Sequence, residues 1–393
     1  MRTDLVKGFR DFLGDEAKKR EEIRKILVDT FEKYAFNPAE TPIIEYEEFV
    51  KGENEKDEAV SDIYRLTDKG DRKLALRYEF TFQLKRIMMN QKLPFRRYSI
   101  GPVFRDEPTG GNRLRQFVQC DADIIGSNQK DEAEIFAMAK KLLNDLKIPF
   151  IIYVNNRKLL NEILDKAGVK EEDKREVIIA IDKLDKISEE EVKKELERYT
   201  SKDLLEIFKQ KEKAFEKYDA YKEIAELKKY CEEYGVKVDF LPTLARGLSY
   251  YNGTIFEIKT EKMKETITAG GAYLFNNAQC FGISFGLDRL AMLAEMKVKN
   301  SDYLVVSIEE DKKAIELLSK LREKGMSCQI YYGKPSKALA YADAYKFSGV
   351  IFVGADEVKK KEFKVKDMVT GKEKILTLEK RTKKNIIVKR KEN

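Results

Sequence analysis

The stretch SIGPVFRDEPTGGNRLRQFVQCDADIIG, Ser99–Gly126, decides how the chain is read. An apolar strand over Ser99–Phe104 ends at Arg105, and the two glycines after Thr109 mark a loop. Arg113, Arg115 and Phe117 then alternate along a returning strand. Strand side chains alternate between faces, so Arg113 and Arg115 are expected on one face, continued by Gln119, Asp121 and Asp123. Clustered guanidinium groups on such a hairpin suit a phosphate ester, because arginine offers fixed bidentate donors and stays charged. An ordinary polar hairpin is the alternative that this segment alone leaves open.

Three further segments have the same character. LRYEFT at Leu76–Thr81 places the carboxylate of Glu79 between bulky residues. ARGLSYYNGTIFEI at Ala245–Ile258 sets Arg246 beside a glycine and follows it with Tyr250 and Tyr251. GISFGLDRLAML at Gly282–Leu293 puts Arg289 early in a helix entered through glycines. Singly, each arginine could lie on the surface and each tyrosine in the core. Four such segments in this order point to one site.

Around them, apolar spacing predicts a helix from about Asp15 to Lys33, with Ile23, Ile26, Leu27 and Phe31 on one face. Short strands and turns are expected from there to Gly126. A second helix is expected over Lys130–Lys147, carrying Ile135, Met138, Leu142, Leu143 and Leu146. From Asn156 to Gly235 the chain is charge-rich with no glycine between Gly168 and Gly235, and reads as a helical insertion. Strands resume near Val238–Leu241 and Thr254–Lys259. Beyond a linker at Lys297–Asp302, the run Tyr303–Ile308, Asp311–Lys324, Gly325 and Ser327–Tyr332 reads as strand, helix, C-cap and strand. Val350–Val353 adds a buried strand, and Lys364–Leu378 folds back around Thr370-Gly371.

Composition removes whole branches of chemistry. The 393 residues include no histidine, so imidazole acid–base catalysis, Ser-His-Asp triads and HExxH zinc sites are excluded. Cys120, Cys231, Cys280 and Cys328 stand apart without a CxxC, which argues against zinc and fits a reducing compartment. The opening MRTDLVKGFRDF carries charge where a signal peptide needs an apolar run. The uncharged stretch Thr266–Leu287 is rich in glycine and asparagine, so buried strands are expected there and no membrane span. A soluble cytoplasmic protein is the expectation. Residues 301–393 hold 22 Lys/Arg against 14 Asp/Glu, whereas residues 1–300 hold 55 against 56. That basic end reads either as a solvated lysine-rich surface or as the electrostatic footprint for a polyanion such as RNA.

Taken together, the motifs resemble the histidyl-tRNA synthetase family, a class II aminoacyl-tRNA synthetase family, over nearly the whole chain. VKGFRDFL (Val6–Leu13) resembles its opening segment, and FNPAETPIIEYEEF (Phe36–Phe49) resembles class II motif 1. FRDE and RLRQFVQCDADIIG within Phe104–Gly126 resemble motif 2, and GLDRL (Gly286–Leu290) motif 3. ARGLSYYNGTIFE resembles the histidine-specific signature, and AGGAY (Ala269–Tyr273) the glycine segment that follows it. IDKLDKI at Ile181–Ile187 looks like a feature of the insertion in the archaeal and eukaryotic branch.

The resemblance implies an α+β architecture. A class II antiparallel sheet flanked by helices would occupy residues 1–300, with the helical insertion at about 156–236. An α/β anticodon-binding domain with a basic tail would occupy residues 301–393. It also implies activation of L-histidine with ATP and transfer to tRNA(His) by a homodimer, with Pro42 at the dimer interface. ATP would enter as its Mg2+ complex, and no zinc or other protein-ligated structural metal is expected. Arg105 would hold the α-phosphate, Glu107 and Phe117 the adenine, Arg289 the γ-phosphate, and Arg113 would lie along the triphosphate. Glu79, Phe80, Thr81, Arg105, Gln119 and Asp123 would line the histidine site, closed by Tyr250, Tyr251 and Tyr273. Arg246, with Arg105, would carry catalysis by touching both the substrate carboxylate and the α-phosphate. The alternative is the non-catalytic paralogue that regulates ATP phosphoribosyltransferase in histidine biosynthesis.

Overall fold

A computed structural model describes residues 1–52, 58–110, 113–185, 187–200, 203–245, 250–296 and 302–376. The chain divides into two compact units, Met1–Met296 and Lys297–Asn393.

The first unit is built on an eight-stranded sheet in the order Asn37–Pro38, Phe95–Phe104, Gln116–Ile125, Ala278–Gly286, Met263–Phe275, Tyr251–Thr260, Ile151–Asn156, Asp239–Phe240. The five inner pairings are antiparallel, and only the short outermost strands pair in parallel. Where short strands were expected before Gly126, the structure has two of ten residues each. The hairpin runs in unbroken register from Phe95↔Ile125 to Phe104↔Gln116, which lets it extend. Among the described residues, no helix is long and apolar enough to cross a membrane.

The period of two sorts this sheet into a core face and a polar face. Cys120, Ala122 and Ile124 alternate inward with Phe281, Ile283 and Phe285 of the neighbouring strand. They share one buried cluster with the helices Gly14–Lys33 and Gln129–Asp145. The Phe136 ring meets Phe256 and Phe281 edge-on, at 4.8 and 5.8 Å between centroids. Asn128 and Asp131 form a capping box at the start of that helix. The cap contributes about 1 kcal/mol, whereas each fully buried large apolar side chain contributes about 1.5–3 kcal/mol. Packing therefore seats the helix, and the cap sets where it begins.

Among the described residues, five α-helices lie between Arg157 and Glu233, with a short 3-10 turn at three of their four junctions. Their apolar residues, from Leu159 through Phe215 to Leu227, belong to the same cluster as the sheet. A smaller antiparallel sheet, Ile44–Tyr46, Lys73–Leu76 and Arg65–Thr67, has its own core around Val50, Ile63, Tyr78 and Phe82. It delivers the segment Arg77–Gln83 towards the polar face of the large sheet.

The second unit is a five-stranded sheet ordered Cys328–Tyr332, Tyr303–Ser307, Gly349–Val353, Lys364–Asp367, Glu373–Ile375. The first three strands are parallel and the last two antiparallel. Val305, Ile351 and Val353 pack with the helix Asp311–Glu323 on one face. Leu304, Val306 and Val350 pack with the helix Pro335–Ala344 on the other. Both faces are covered, which explains the continuous apolar runs YLVVS and VIFV.

Candidate active site

The polar face is assembled by strand register. Arg97, Ser99 and Gly101 stand opposite Asp123, Asp121 and Gln119, which stand opposite Gly282, Ser284 and Gly286 on the other side. The expected row of Gln119, Asp121 and Asp123 is thus one line across the middle of the sheet. The two expected arginines at its start part company. The strand begins only at Gln116, because the Gly8 carbonyl takes the Arg115 amide at 2.8 Å. Arg115 then pairs with Asp106 at 3.0 Å, while Arg113 lies 3.5 Å from Glu107.

Three buried acids gather on this face. Burial pushes the Glu79 carboxyl up to about 7; Arg105 pulls it back, while Asp121 and Asp123 push it further up. Burial pushes Asp121 up to about 7 as well, with Arg97 opposing. Asp123 is raised by burial and drawn down by Arg97 and by a hydrogen bond from Tyr273. Arg97 Nη2 lies 2.8 Å from Asp123 Oδ2, and the Tyr273 hydroxyl donates to Oδ1 at 2.6 Å. Gln119 Nε2 donates to Asp121 Oδ2 at 3.0 Å. A methyl group on Gly282 would overlap Asp123 Oδ1, so only glycine leaves this carboxylate its place.

Tyrosines close the acid cluster. The Tyr250 ring lies 5.0 Å from Tyr251 and 5.5 Å from Tyr273, centroid to centroid. Tyr250 shares a hydrogen bond with Thr81, and burial followed by Glu79 raises its hydroxyl far above the ordinary range. Phe80 turns aside: its ring lies under the Arg77 guanidinium at 4.5 Å, and only its carbonyl, accepting from Arg97 at 3.3 Å, faces the cluster. The structure thus brings Glu79, Thr81, Gln119, Asp123, Tyr250, Tyr251 and Tyr273 together. Arg246 lies outside the described residues.

Beside the acids stand the arginines. Arg105 Nε donates to the Tyr78 carbonyl at 3.1 Å, and its guanidinium sits 5.2 Å from the Phe117 ring centre. Arg289 donates to the Thr266 carbonyl at 2.6 Å. Burial lowers its proton affinity; Glu265 and Glu107 counter this, and the charges of Arg113 and Arg105 add to the lowering. Three guanidinium groups within electrostatic reach of one another make a site for a polyanion. Arg105 attracts Glu79 as well, so it borders both halves. The arrangement can take a ligand with an ammonium and N–H groups at one end and phosphate at the other.

Sequence reasoning missed Arg97 and Asp288. Arg97 shares parity with Ser99, Gly101 and Arg105, which was the available signal; its partner Asp123 is defined only by register. Asp288 Oδ1 accepts from Arg20 at 2.8 Å and Oδ2 from the Val118 amide at 3.1 Å. It therefore ties the helix Leu287–Leu293, which carries Arg289, to the strand that carries the acids. Among the described residues, no three Asp, Glu, Cys or His side chains are grouped to hold a metal ion. Pro42 is exposed just before the edge strand Ile44–Tyr46, and its carbonyl accepts from Gln83 at 2.8 Å.

The histidyl-tRNA synthetase family model matches residues 8–290. The chain belongs to the histidyl-tRNA synthetase family. An anticodon-binding domain model matches residues 302–386. A histidine–tRNA ligase of Bacillus cereus is 34% identical over 94% of this chain and 96% of its own. One of Wolinella succinogenes is 34% identical over 94% of both chains. Among solved structures, a histidyl-tRNA synthetase from Nostoc covers 96% of this chain and 97% of its own, at 23% identity and TM-score 0.84. A Bacillus halodurans protein described as an ATP phosphoribosyltransferase regulatory subunit/histidyl-tRNA synthetase covers 89% of this chain and 98% of its own, at 20% identity and TM-score 0.75. These two likenesses concern the fold. The α+β architecture, a largely antiparallel sheet flanked by helices with an anticodon-binding domain after it, is that of the family.

Proposed function

We propose that the protein is an active histidine–tRNA ligase, activating L-histidine with ATP to histidyl-adenylate, with release of pyrophosphate, and passing the histidyl group to tRNA(His). The observation that carries this is the buried row of acids bordering three convergent arginines, with Arg105 between them. In this reading residues 1–300 form the catalytic domain, with its insertion at about 156–236, and residues 301–393 read the tRNA. Glu79, Thr81, Gln119 and Asp123 take the histidine, with Tyr250, Tyr251 and Tyr273 around its ring. Arg105, Glu107, Arg113, Phe117 and Arg289 take ATP as its Mg2+ complex. Arg246 bridges the carboxylate and the α-phosphate.

The chemistry needs no histidine on the enzyme. The substrate carboxylate is ionised at neutral pH and forms the bond to the α-phosphorus as the bond to pyrophosphate breaks. The enzyme positions two anions and neutralises the charge that develops, which is work for arginines. The exposed Ile44 and Tyr46 beside Pro42 suit burial against a second copy, the homodimer of this reading. In this reading the protein acts in the cytoplasm. Placement in the archaeal and eukaryotic branch rests on IDKLDKI, in which Lys186 lies outside the described residues; the relatives named above are bacterial.

The second reading, a silent paralogue regulating ATP phosphoribosyltransferase, is favoured by the likeness to the Bacillus halodurans protein. Against it stand Arg105 and Arg289 at the site and the anticodon-binding domain match. ATP–pyrophosphate exchange measured with each of the twenty amino acids separates the two. Exchange with histidine alone is expected. No exchange with any amino acid would leave the silent reading.

A further inference from the structure

Arg97 is the bulkiest of the fully buried side chains, 1% exposed, and the roles above leave it without one. Burying a guanidinium is costly unless its donors are matched. Nη2 has Asp123 and the Phe80 carbonyl, but Nε and Nη1 have no hydrogen-bond partner among the described residues. An apolar side chain in that place would serve packing better, so stability alone does not account for the charge. Its ion pair is with Asp123, whose other oxygen is fixed by Tyr273 and whose place is kept clear by Gly282.

We propose that Arg97 is a positioning residue that holds Asp123 as a fixed acceptor, so that the site selects a neutral ring bearing an N–H. This rests on the reading of Asp123 as part of the histidine site. An ionised carboxylate only accepts hydrogen bonds, so the ligand atom facing it must be a donor. Asp123 is faced by Arg97 from the Phe95–Phe104 strand, Asp121 from its own, Tyr273, Cys280 and Tyr251 from the next three, and Glu79 from the incoming segment. Of these only Arg97 is cationic. With it, the Arg97–Asp123 pair carries no net charge, and nothing there calls for an imidazolium ion. Without it, Asp123 would sit buried beside two other acids and take up a proton. The acceptor would then become a donor, and a ring N–H would be refused.

The test is ATP–pyrophosphate exchange by the full-length protein between pH 6 and 9, with Arg97→Met and Arg97→Lys beside the parent. Arg97→Met is expected to raise the histidine KM about tenfold at pH 7.5, as for a lost buried acceptor, with the ATP KM within about twofold. The acidic limb of kcat/KM for histidine should move up by about one pH unit, the least shift expected when a carboxylate loses its cation. Lysine should recover part of both effects. A merely structural arginine would not move that limb. A folded Arg97→Met with unchanged histidine KM and unchanged limb overturns the proposal. Should Arg97→Met not fold, Arg97→Lys and the paired Arg97→Met/Asp123→Asn take its place. The pair should fold and keep only the limb that Glu79 sets, at the parent's position; a limb moved upward there overturns the proposal equally. Thermal unfolding of Arg97→Met, Asp123→Asn and the pair gives a readout independent of activity, and additive losses would also count against the coupling. If the parent exchanges with no histidine, the histidine reading itself fails. If it does exchange and the variants match it, only the role of Arg97 falls.

Discussion

At the scale of single residues, the site holds acids that the fold would prefer protonated. Glu79 is fully enclosed and its carboxyl is pushed up to about 7, burial being the main cause. A raised carboxyl means that the folded state binds a proton more tightly than the unfolded chain does. Between pH ~4.5 and ~7 the native form therefore carries more protons, and stability falls as pH rises through that window. Binding an ammonium requires the opposite, an ionised Glu79. Two outcomes follow from the same residue. The histidine kcat/KM should fall below about pH 7 with Glu79 in its natural form. Glu79→Gln, in the absence of substrate, should unfold at a higher temperature than the parent at pH 8, a gain on the order of 1–3 kcal/mol that shrinks towards pH 5. Its histidine-dependent exchange should be nearly abolished. Unfolding curves at the two pH values decide it, and a Gln variant less stable at pH 8 would mean that this carboxylate is held by partners in its ionised form.

At the scale of elements, the sequence made legible whatever is local. The helices at Gly14–Lys33 and Gln129–Asp145 follow their apolar spacing to within about two residues at each end, and the acid row follows the period of two. The βαβ run after Asp302 is equally plain. The helix Pro335–Ala344 was not read, because it packs through Ala338 and Ala342, which give little periodic contrast. Arg97 and Asp288 escaped for another reason: each acts through a partner fixed by tertiary register, 26 and 170 residues away in the chain. Asp288 also shows how one element steadies the next. It holds the Arg289 helix by a largely buried ion pair to Arg20 and a hydrogen bond to the Val118 amide. Asp288→Ala leaves Arg20 charged and without this partner, a loss of about 3 kcal/mol for a buried pair. Because Arg289 rides on that helix, the ATP KM should rise several-fold more than the histidine KM. Equal changes in both constants would show that the tie serves stability alone.

At the scale of the whole molecule, the two units are built as separate cores. The cluster beneath the large sheet ends at Met296, and the clusters of the second sheet begin at Tyr303 and Leu304. The charge divides at the same place, with 22 basic against 14 acidic residues over 301–393 and near balance before it. A chain ending at residue 300 should therefore keep its fold, its acid row and its arginines. In the proposed reaction the first step needs only those, so pyrophosphate exchange with histidine should stay within about twofold of the full chain. The second step needs a large polyanion to be held. Each phosphate neutralised by lysine or arginine releases counterions, which makes such binding fall steeply as salt rises. The full chain should show a tRNA KM that climbs with salt between ~50 and ~200 mM. The shortened chain should start from a KM at least tenfold higher and respond less to salt, because much of the positive charge has gone. Histidine transfer from a preformed adenylate, followed at saturating and limiting tRNA, separates lost binding from lost chemistry. Equal charging by the two forms at physiological salt would place tRNA recognition in residues 1–300 and leave the basic unit with another task.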